Sequence, residues 1–562
     1  MPRVLVLSLL LFSLALPAQE VSQSGLGLKA ARPMVSQPER ARSAMVASVH
    51  ELASEAGLEI LKRGGNAVDA AVAVGFALAV VHPEAGNLGG GGYIVIRMAD
   101  GRTKAIDYRE TAPASARPGM FQTPIQAHVG YKASAVPGTV AGLAMAHRLF
   151  GSKSWREALE PARRLAQRGF PASQRMELIL ALQVPVMKQF PETARIFLHG
   201  KDQPLKQGEL VRQPELAATI ARLQKQGWRE FYEGETARRI AAGMKAHSGT
   251  ITCEDLKGYQ ARELEPLRGV YRGHTILTIP PSSSGGVALL EMLNILEHFP
   301  MRLGMEGSAE SRHLLIESMK PAYRDRSLHL ADPAFFPVPV DKLIDKTYAA
   351  DLARTIRPDR AVPSPPLPTR QGEGTESEST THFSIIDQAG NLVSNTYTLN
   401  GFYGSQVIAQ GVGVLLNDIM SGFSSRAGGR NEVAPGKRPV SSMTPTILLR
   451  RDGTPWVALG SPGAATIPNT LLQVVVNLID YRMSLRDAIE FPRIHHQYLP
   501  DRVDAEPAAL IFDVAEKLKA FGHSLNAQLR SQGDVHAVMI EEGSGWRLGW
   551  SDGRRGGRAL GY

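Results

Sequence analysis

The stretch that most constrains the fold is Ser379-Thr380-Thr381-His382-Phe383-Ser384-Ile385-Ile386, together with what flanks it. Residues 361–379 lead into it, combining Pro363, Pro365, Pro366 and Pro368 with Gln371-Gly372-Glu373-Gly374-Thr375-Glu376-Ser377-Glu378. A segment of this composition has little to bury and predicts a mobile linker. Behind it, Thr381–Ile386 mixes polar and apolar residues, and Asp387-Gln388-Ala389-Gly390-Asn391 is turn chemistry. Leu392–Leu399 is rich in β-branched and aromatic residues. The pattern predicts a hairpin. Facing Ile386 with Leu392 puts His382 opposite Thr396 and Thr380 opposite Thr398, with paired side chains about 5 Å apart on one face.

Thr380 thus stands at the mouth of a hairpin just after a loose acidic segment, a position that suits a hydroxyl nucleophile. A chain cut before Thr380 would give that residue a free α-amine of pKa about 7.7–8.0, partly neutral near pH 7. The amine could act as the base for its own hydroxyl, the N-terminal threonine form of nucleophile activation. The same pattern also fits a structural hairpin after a linker, and pattern alone leaves both readings open.

Elsewhere the chain reads as alternating blocks of helix and strand. Ala53–Arg63 is an amphipathic helix closed by Gly64-Gly65, and Asn66 caps a second, apolar helix over Ala67–Val81 that His82-Pro83 ends. Gly86–Gly92 leads into a strand, Tyr93–Arg97, and lacks the Lys-Ser/Thr of a phosphate loop. Close backbone approach beneath a strand explains it better. Ala105–Tyr108 predicts a strand ending at Arg109-Glu110. Residues 135–250 are mostly helical. Strands are expected at Tyr271–Thr278, Gly411–Leu416, Lys437–Ser442, Thr446–Arg450 and Trp456–Leu459, and helices at Val287–His298, Glu310–Leu330 and Ile467–Asp480. This arrangement predicts an α+β fold with antiparallel sheets.

Several functions are disfavoured. The formal charge of +9 is spread along the chain without an aromatic-interleaved basic strip, so nucleic acid is not an expected partner. Met1-Pro2-Arg3, the apolar run Val4–Leu16 and Ala18 look like a signal peptide over residues 1–18, with an uncleaved anchor as the alternative, and predict a periplasmic or secreted protein with no membrane segment in the mature form. Cys253 is the only cysteine, which excludes an internal disulfide and a Cys-rich metal site. His495-His496 point to opposite faces if on a strand, a poor ligand pair. No His-Glu-x-x-His or Walker loop occurs. Neither metal nor cofactor is expected.

Ordered motifs then carry a resemblance. Gly64–Ala71, Gly86–Gly92, Asp107-Tyr108-Arg109-Glu110, Pro280–Gly286, Thr380–Ser384, Lys437–Met443 and Gly460–Gly463 together resemble the γ-glutamyltranspeptidases (glutathione hydrolases) of the N-terminal nucleophile hydrolase superfamily, from about residue 44 to the C-terminus. The resemblance implies a four-layer αββα sandwich made as a proenzyme. Residues 19–379 would become a large subunit and 380–562 a small one, cut between Ser379 and Thr380 and sharing one core as a heterodimer. It implies Thr380 as nucleophile, Thr398 holding its hydroxyl, and the N–H groups of Gly463 and Ala464 as oxyanion donors, where the family usually has Gly at 464. Arg109, Ser441 and Ser442 would bind the substrate α-carboxylate, and Asn400 the α-amine. Implied substrates are glutathione and other γ-glutamyl amides, with water, amino acids or peptides as acceptors.

One stretch departs from the family. Where its members read Met-Asp-Asp-Phe, this chain has Met420-Ser421-Gly422-Phe423. Gly422 replaces the Asp that binds the substrate ammonium, and Ile419 stands where a Gln or Glu assists it. Losing such a charge-assisted bond costs roughly 1.5–3 kcal/mol. Asp418 is the candidate substitute. The alternatives that follow are a glutaryl- or cephalosporin-type acylase of the same mechanism and an inactive secreted binding protein. The short loop Ser424–Pro435 predicts a relatively open pocket.

Overall fold

Thr381–Ile386 and Leu392–Thr398 pair antiparallel in the predicted register, Ile386 opposite Leu392 and His382 opposite Thr396. The ladder closes at Thr381 opposite Tyr397, so Thr380 lies one residue outside it, while Thr398 pairs with Gly91 on its other side. The turn does two jobs. Asp387 Oδ1 accepts from Asn391 N at 3.0 Å, and its Oδ2 accepts from Ala67 N at 2.9 Å, tying the hairpin to the start of the helix Ala67–Val81. The computed structural model describes residues 37–200, 202–367, 379–424, 428–527 and 531–562, and residues 38–562 form one compact unit.

Around the hairpin runs a seven-stranded antiparallel sheet. Its order is Arg558–Gly561, Met45–Ser48, Thr381–Ile386, Leu392–Thr398, Gly91–Arg97, Thr103–Asp107, Arg262–Leu264. A second seven-stranded antiparallel sheet is ordered Glu39–Ala41, Arg547–Ser551, His536–Ile540, Pro455–Leu459, Thr446–Leu449, His274–Thr278, Leu267–Tyr271. The two-residue period of a strand sorts their side chains. Tyr93, Val95, Ile386, Leu392, Ile447 and Val538 fill the space between the sheets. Ile94, Ile96, Ile385 and Val393 point the other way, into the helices Ala67–Val81, Thr139–Phe150 and Trp155–Arg168. Leu448, Val457 and Leu459 face the helices Gly285–Leu296, Ala309–His329 and Ile467–Ile479. The result is the expected αββα sandwich. Every residue of Ala67–Val81 is buried, and each large side chain there contributes about 1.5–3 kcal/mol.

Both sheets draw strands from before residue 379 and after residue 380. Separating those two parts of the chain would break β-ladders as well as the shared core.

Some local expectations fail. Lys437–Ser442 is an extended loop with a single bridge, Ser441 to Ser283, because its polar groups bond to the 283–284 turn and not to a strand. Gly411–Leu416 likewise forms only isolated bridges. Tyr271–Thr278 divides at Arg272-Gly273, both at positive φ (51° and 86°), into two paired strands. The predicted signal peptide and residues 368–378 of the linker lie outside the described residues. Among the described residues no helix is long and apolar enough to cross a membrane.

Candidate active site

Thr380 is 4% exposed and Thr398 3% exposed. The Thr398 hydroxyl accepts from Asn400 N at 2.7 Å, so the backbone leaving the strand fixes its position. Asn400 has a left-handed φ of 79°, which turns its amide toward the 418–421 turn. Its Nδ2 lies 2.9 Å from Ser421 Oγ and 3.4 Å from Asp418 Oδ2. The glycine run lets these parts approach. A Cβ on Gly90 would sit 2.1 Å from the Thr398 carbonyl, and one on Gly91 would sit 2.6 Å from Glu110 Oε2. The close-approach reading of the run is therefore correct.

Arg109 follows the strand Thr103–Asp107 and is buried. Its backbone is held at both ends. Its N–H donates to Asp107 Oδ1 at 2.9 Å, and its carbonyl accepts from Tyr259 OH at 2.9 Å and Arg438 Nε at 3.2 Å. The guanidinium meets Glu110 Oε2 at 3.2 Å, and its Nε lies 3.5 Å from the Pro439 carbonyl. Burial dominates the Glu110 carboxyl. Arg109 pulls its pKa down, but Asp418 and Asp107 push the other way, and it stands at about 7. Its second oxygen, Oε1, is buried without a hydrogen-bond partner.

Asp418 is committed to the protein. Oδ1 accepts from Gly401 N at 2.6 Å, and Oδ2 lies 3.7 Å from His128 Nδ1. Burial raises its pKa, opposed by His128 and the Gly401 N–H. Gly422 faces the loop that touches Arg109, since a Cβ there would meet Ile419 Cδ1 at 3.3 Å and Pro439 Cβ at 3.4 Å. A carboxylate at 422 would thus reach the neighbourhood of Arg109.

Ser441 and Ser442 are pinned by groups far away in sequence. The Ser441 carbonyl accepts from Ser284 N and Ser284 Oγ, both at 2.7 Å, and its Oγ accepts from Met443 N at 3.2 Å. Arg326, on the helix Ala309–His329, donates to Ser284 Oγ at 3.0 Å and to Ser442 Oγ at 3.2 Å. Arg326 went unread in the sequence, where it is one of many charges on a long helix.

Gly463 and Ala464 precede the helix Ile467–Ile479, at φ of 136° and 53°. A left-handed alanine is strained, at a cost of roughly 1–2 kcal/mol, which accounts for glycine as the better residue at 464. The strand-end loop before it packs on His382, whose ring would lie 2.3 Å from a Cβ at Gly460. His382 is buried between Thr396 Oγ1 (2.8 Å) and Ser384 Oγ (2.9 Å), and burial keeps its pKa well below the usual imidazole value. It is a neutral support for the loop.

Among the described residues one cluster has ligand types that could hold a metal, His313, Glu317 and His523. Its groups are already engaged within the protein. The two rings hydrogen-bond at 2.7 Å, and Glu317 pairs with Lys320 at 2.7 Å and accepts from Val362 N at 3.1 Å. His495 bonds Asn469 and His496 bonds Asp501, as structural histidines do.

Residues 53–562 match the family described as Gamma-glutamyltranspeptidase. The chain is 41% identical over 522 residues to the glutathione hydrolase proenzyme of Escherichia coli (strain K12), covering 90% of this chain and 89% of that protein. It is 38% identical over 508 residues to the acylase ACY 1 proenzyme of Pseudomonas sp. (strain V22), covering 88% and 89%. A cephalosporin acylase structure from Bacillus halodurans superposes with a TM-score of 0.84 at 26% identity, covering 96% of this chain and 99% of that one. A Helicobacter pylori gamma-glutamyltranspeptidase structure does so with a TM-score of 0.54 at 41% identity, covering 56% and 92%.

Proposed function

The chain belongs to the gamma-glutamyltranspeptidase family, and from that premise we propose a self-cleaving γ-glutamyl hydrolase and transferase, periplasmic or secreted, acting on glutathione and related amides. The observation that carries this reading is the placement of Thr380. It is buried at the mouth of the hairpin whose register leads to Thr398, with Asn400 linking Thr398 to the Asp418 turn.

In maturation the Thr380 hydroxyl attacks the Ser379 carbonyl carbon. The 379–380 C–N bond breaks as an ester forms, and the amine keeps the proton the hydroxyl gives up. Water hydrolyses the ester, leaving a carboxylate on Ser379 and a free α-amine on Thr380. In turnover Thr380 Oγ attacks the γ-amide carbonyl while that amine takes its proton. The N–H groups of Gly463 and Ala464 stabilise the oxyanion. The amine then protonates the leaving group, and water or an acceptor amine releases the acyl group. Arg109 binds the α-carboxylate, and Ser441 and Ser442 line the same end of the site. Residues 19–379 and 380–562 stay together as a heterodimer through the mixed sheets.

Gly422, with Asp418 held by Gly401, favours a second reading, an acylase that prefers glutaryl groups lacking the α-amine. Mass spectrometry of the purified protein should find two fragments meeting at 379/380, and Thr380→Ala should stay whole and inactive. An intact, active wild-type chain would remove this mechanism. Faster turnover of a glutaryl than of a γ-glutamyl anilide would select the second reading.

A further inference from the structure

We propose that the Ser379 side chain is a positioning residue for the chain's own cleavage, its hydroxyl gripped between two main-chain carbonyls so that the scissile peptide is held for attack. This rests on the self-cleavage reading above. Ser379 is buried, and its Oγ lies 2.6 Å from the Glu84 carbonyl and 2.9 Å from the Gly401 carbonyl. A carbonyl can only accept, so the serine proton is shared between the two.

Both acceptors are fixed from behind. The Glu84 carbonyl also accepts from Tyr403 N at 3.2 Å, and its turn is closed by Gly86 N donating to the His82 carbonyl at 2.8 Å. The Glu84 carboxylate is buried against His82 Nδ1 at 3.1 Å and Arg175 Nε at 3.3 Å. Burial would raise its pKa, but His82 and Arg175 outweigh that and bring it to about 2, so the carboxyl is ionised at neutral pH. Gly401 donates its N–H to Asp418 at 2.6 Å and accepts from Gly404 N at 2.8 Å. Ser379 therefore bridges the turn that ends the helix Ala67–Val81 and the turn that leaves the strand Leu392–Thr398.

The need for such a grip follows from where the ladder stops. The β-ladder orders residues from Thr381 onward, and Ser379 and Thr380 lie outside it. The carbonyl to be attacked belongs to Ser379, beyond the reach of the ladder's hydrogen bonds. Attack of Thr380 Oγ on that carbonyl requires one peptide orientation, and a misplacement of about 1 Å can cost on the order of a hundredfold in rate. The step itself is the one given above: a C–O ester bond replaces the 379–380 C–N bond, the proton passes to the amine, and water completes the hydrolysis.

The test follows conversion of the freshly made full chain into two fragments. Ser379→Ala is expected to slow the cut roughly tenfold or more, and Ser379→Thr, which keeps the hydroxyl, to restore most of the rate. In the uncuttable Thr380→Ala background, Ser379→Ala should move the thermal midpoint by less than about 2 °C. Ser379→Ala cutting at the wild-type rate while Thr380→Ala stays whole would overturn this inference alone. Equal slowing by Ala and Thr, or a larger drop in the midpoint, would also overturn it by showing a packing role. A wild-type chain that never cuts itself would remove the underlying reading and the inference with it.

Discussion

The two ends of the active site are held by different means. At the nucleophile end, position comes from the main chain: a ladder that stops at Thr381, an N–H from Asn400 on the Thr398 hydroxyl, and two left-handed residues at 463 and 464. At the end that would meet a substrate α-amine, position comes from side chains on the 417–423 turn, and there Ile419 and Gly422 stand where the family resemblance implies a Gln or Glu and an Asp. A backbone donor survives a Gly-to-Ala change at some cost in strain. A carboxylate that contacts a charge has no such backup. The reaction is thus the better protected property, and donor choice the more easily changed one.

Arg109 is the residue proposed to bind the substrate α-carboxylate, and among changes at the substrate end its replacement should give the largest effect. Arg109→Lys keeps the charge but loses the forked geometry. With a charge-assisted bond worth roughly 1.5–3 kcal/mol, kcat/KM should fall about ten- to a hundredfold. γ-Glutamyl and glutaryl donors both carry the carboxylate in question, so both should fall alike. A loss confined to γ-glutamyl donors would mean that Arg109 recognises something else.

The next effect restores the missing charge. Gly422→Asp combined with Ile419→Gln should raise the γ-glutamyl to glutaryl ratio of kcat/KM by about tenfold. Space allows it. The tightest neighbours of a Cβ at 422 are the Ile419 side chain, which the second substitution reshapes, and Pro439 Cβ at 3.4 Å. An unchanged ratio would show that Asp418 already supplies the ammonium contact despite its bonds to Gly401 and Asn400.

What could be read from the sequence follows the same division. The hairpin register, the capped helix Ala67–Val81 and the glycine run are local, since their signals lie within a few residues of one another. The Arg326–Ser442, Arg438–Arg109 and Ser379–Glu84 contacts join residues separated by 116, 329 and 295 positions, and nothing in a single sequence pairs them. The loop Lys437–Ser442 reads as a strand because it is extended, but its hydrogen bonds go to Ser283 and Ser284 in a turn. Tyr271–Thr278 reads as one strand because Arg272 gives no sign that it adopts a positive φ. The family resemblance proposes the site residues as a set; the contacts around them came only with the structure.

The smallest effect concerns Glu110, the carboxyl beside Arg109. Burial lifts its pKa to about 7, above its ordinary value of 4.5. Stabilisation from its bound proton is therefore complete below pH 4.5 and is lost as pH rises through 7. Function should follow. Below pH 7 the neutral carboxyl competes weakly for the Arg109 guanidinium 3.2 Å away, and above pH 7 the carboxylate competes with the donor's own. With a glutaryl donor, which has no amine to titrate, KM should rise severalfold between about pH 6 and pH 8.5, on the 1.36 kcal/mol per unit scale of such shifts. Glu110→Gln, which cannot ionise, should flatten that rise while leaving the pH dependence of kcat to the Thr380 amine. Superimposable KM profiles for the two proteins would show that Glu110 does not titrate against Arg109. The carboxylate end would then be as insensitive to pH as the backbone-held end is to side-chain change.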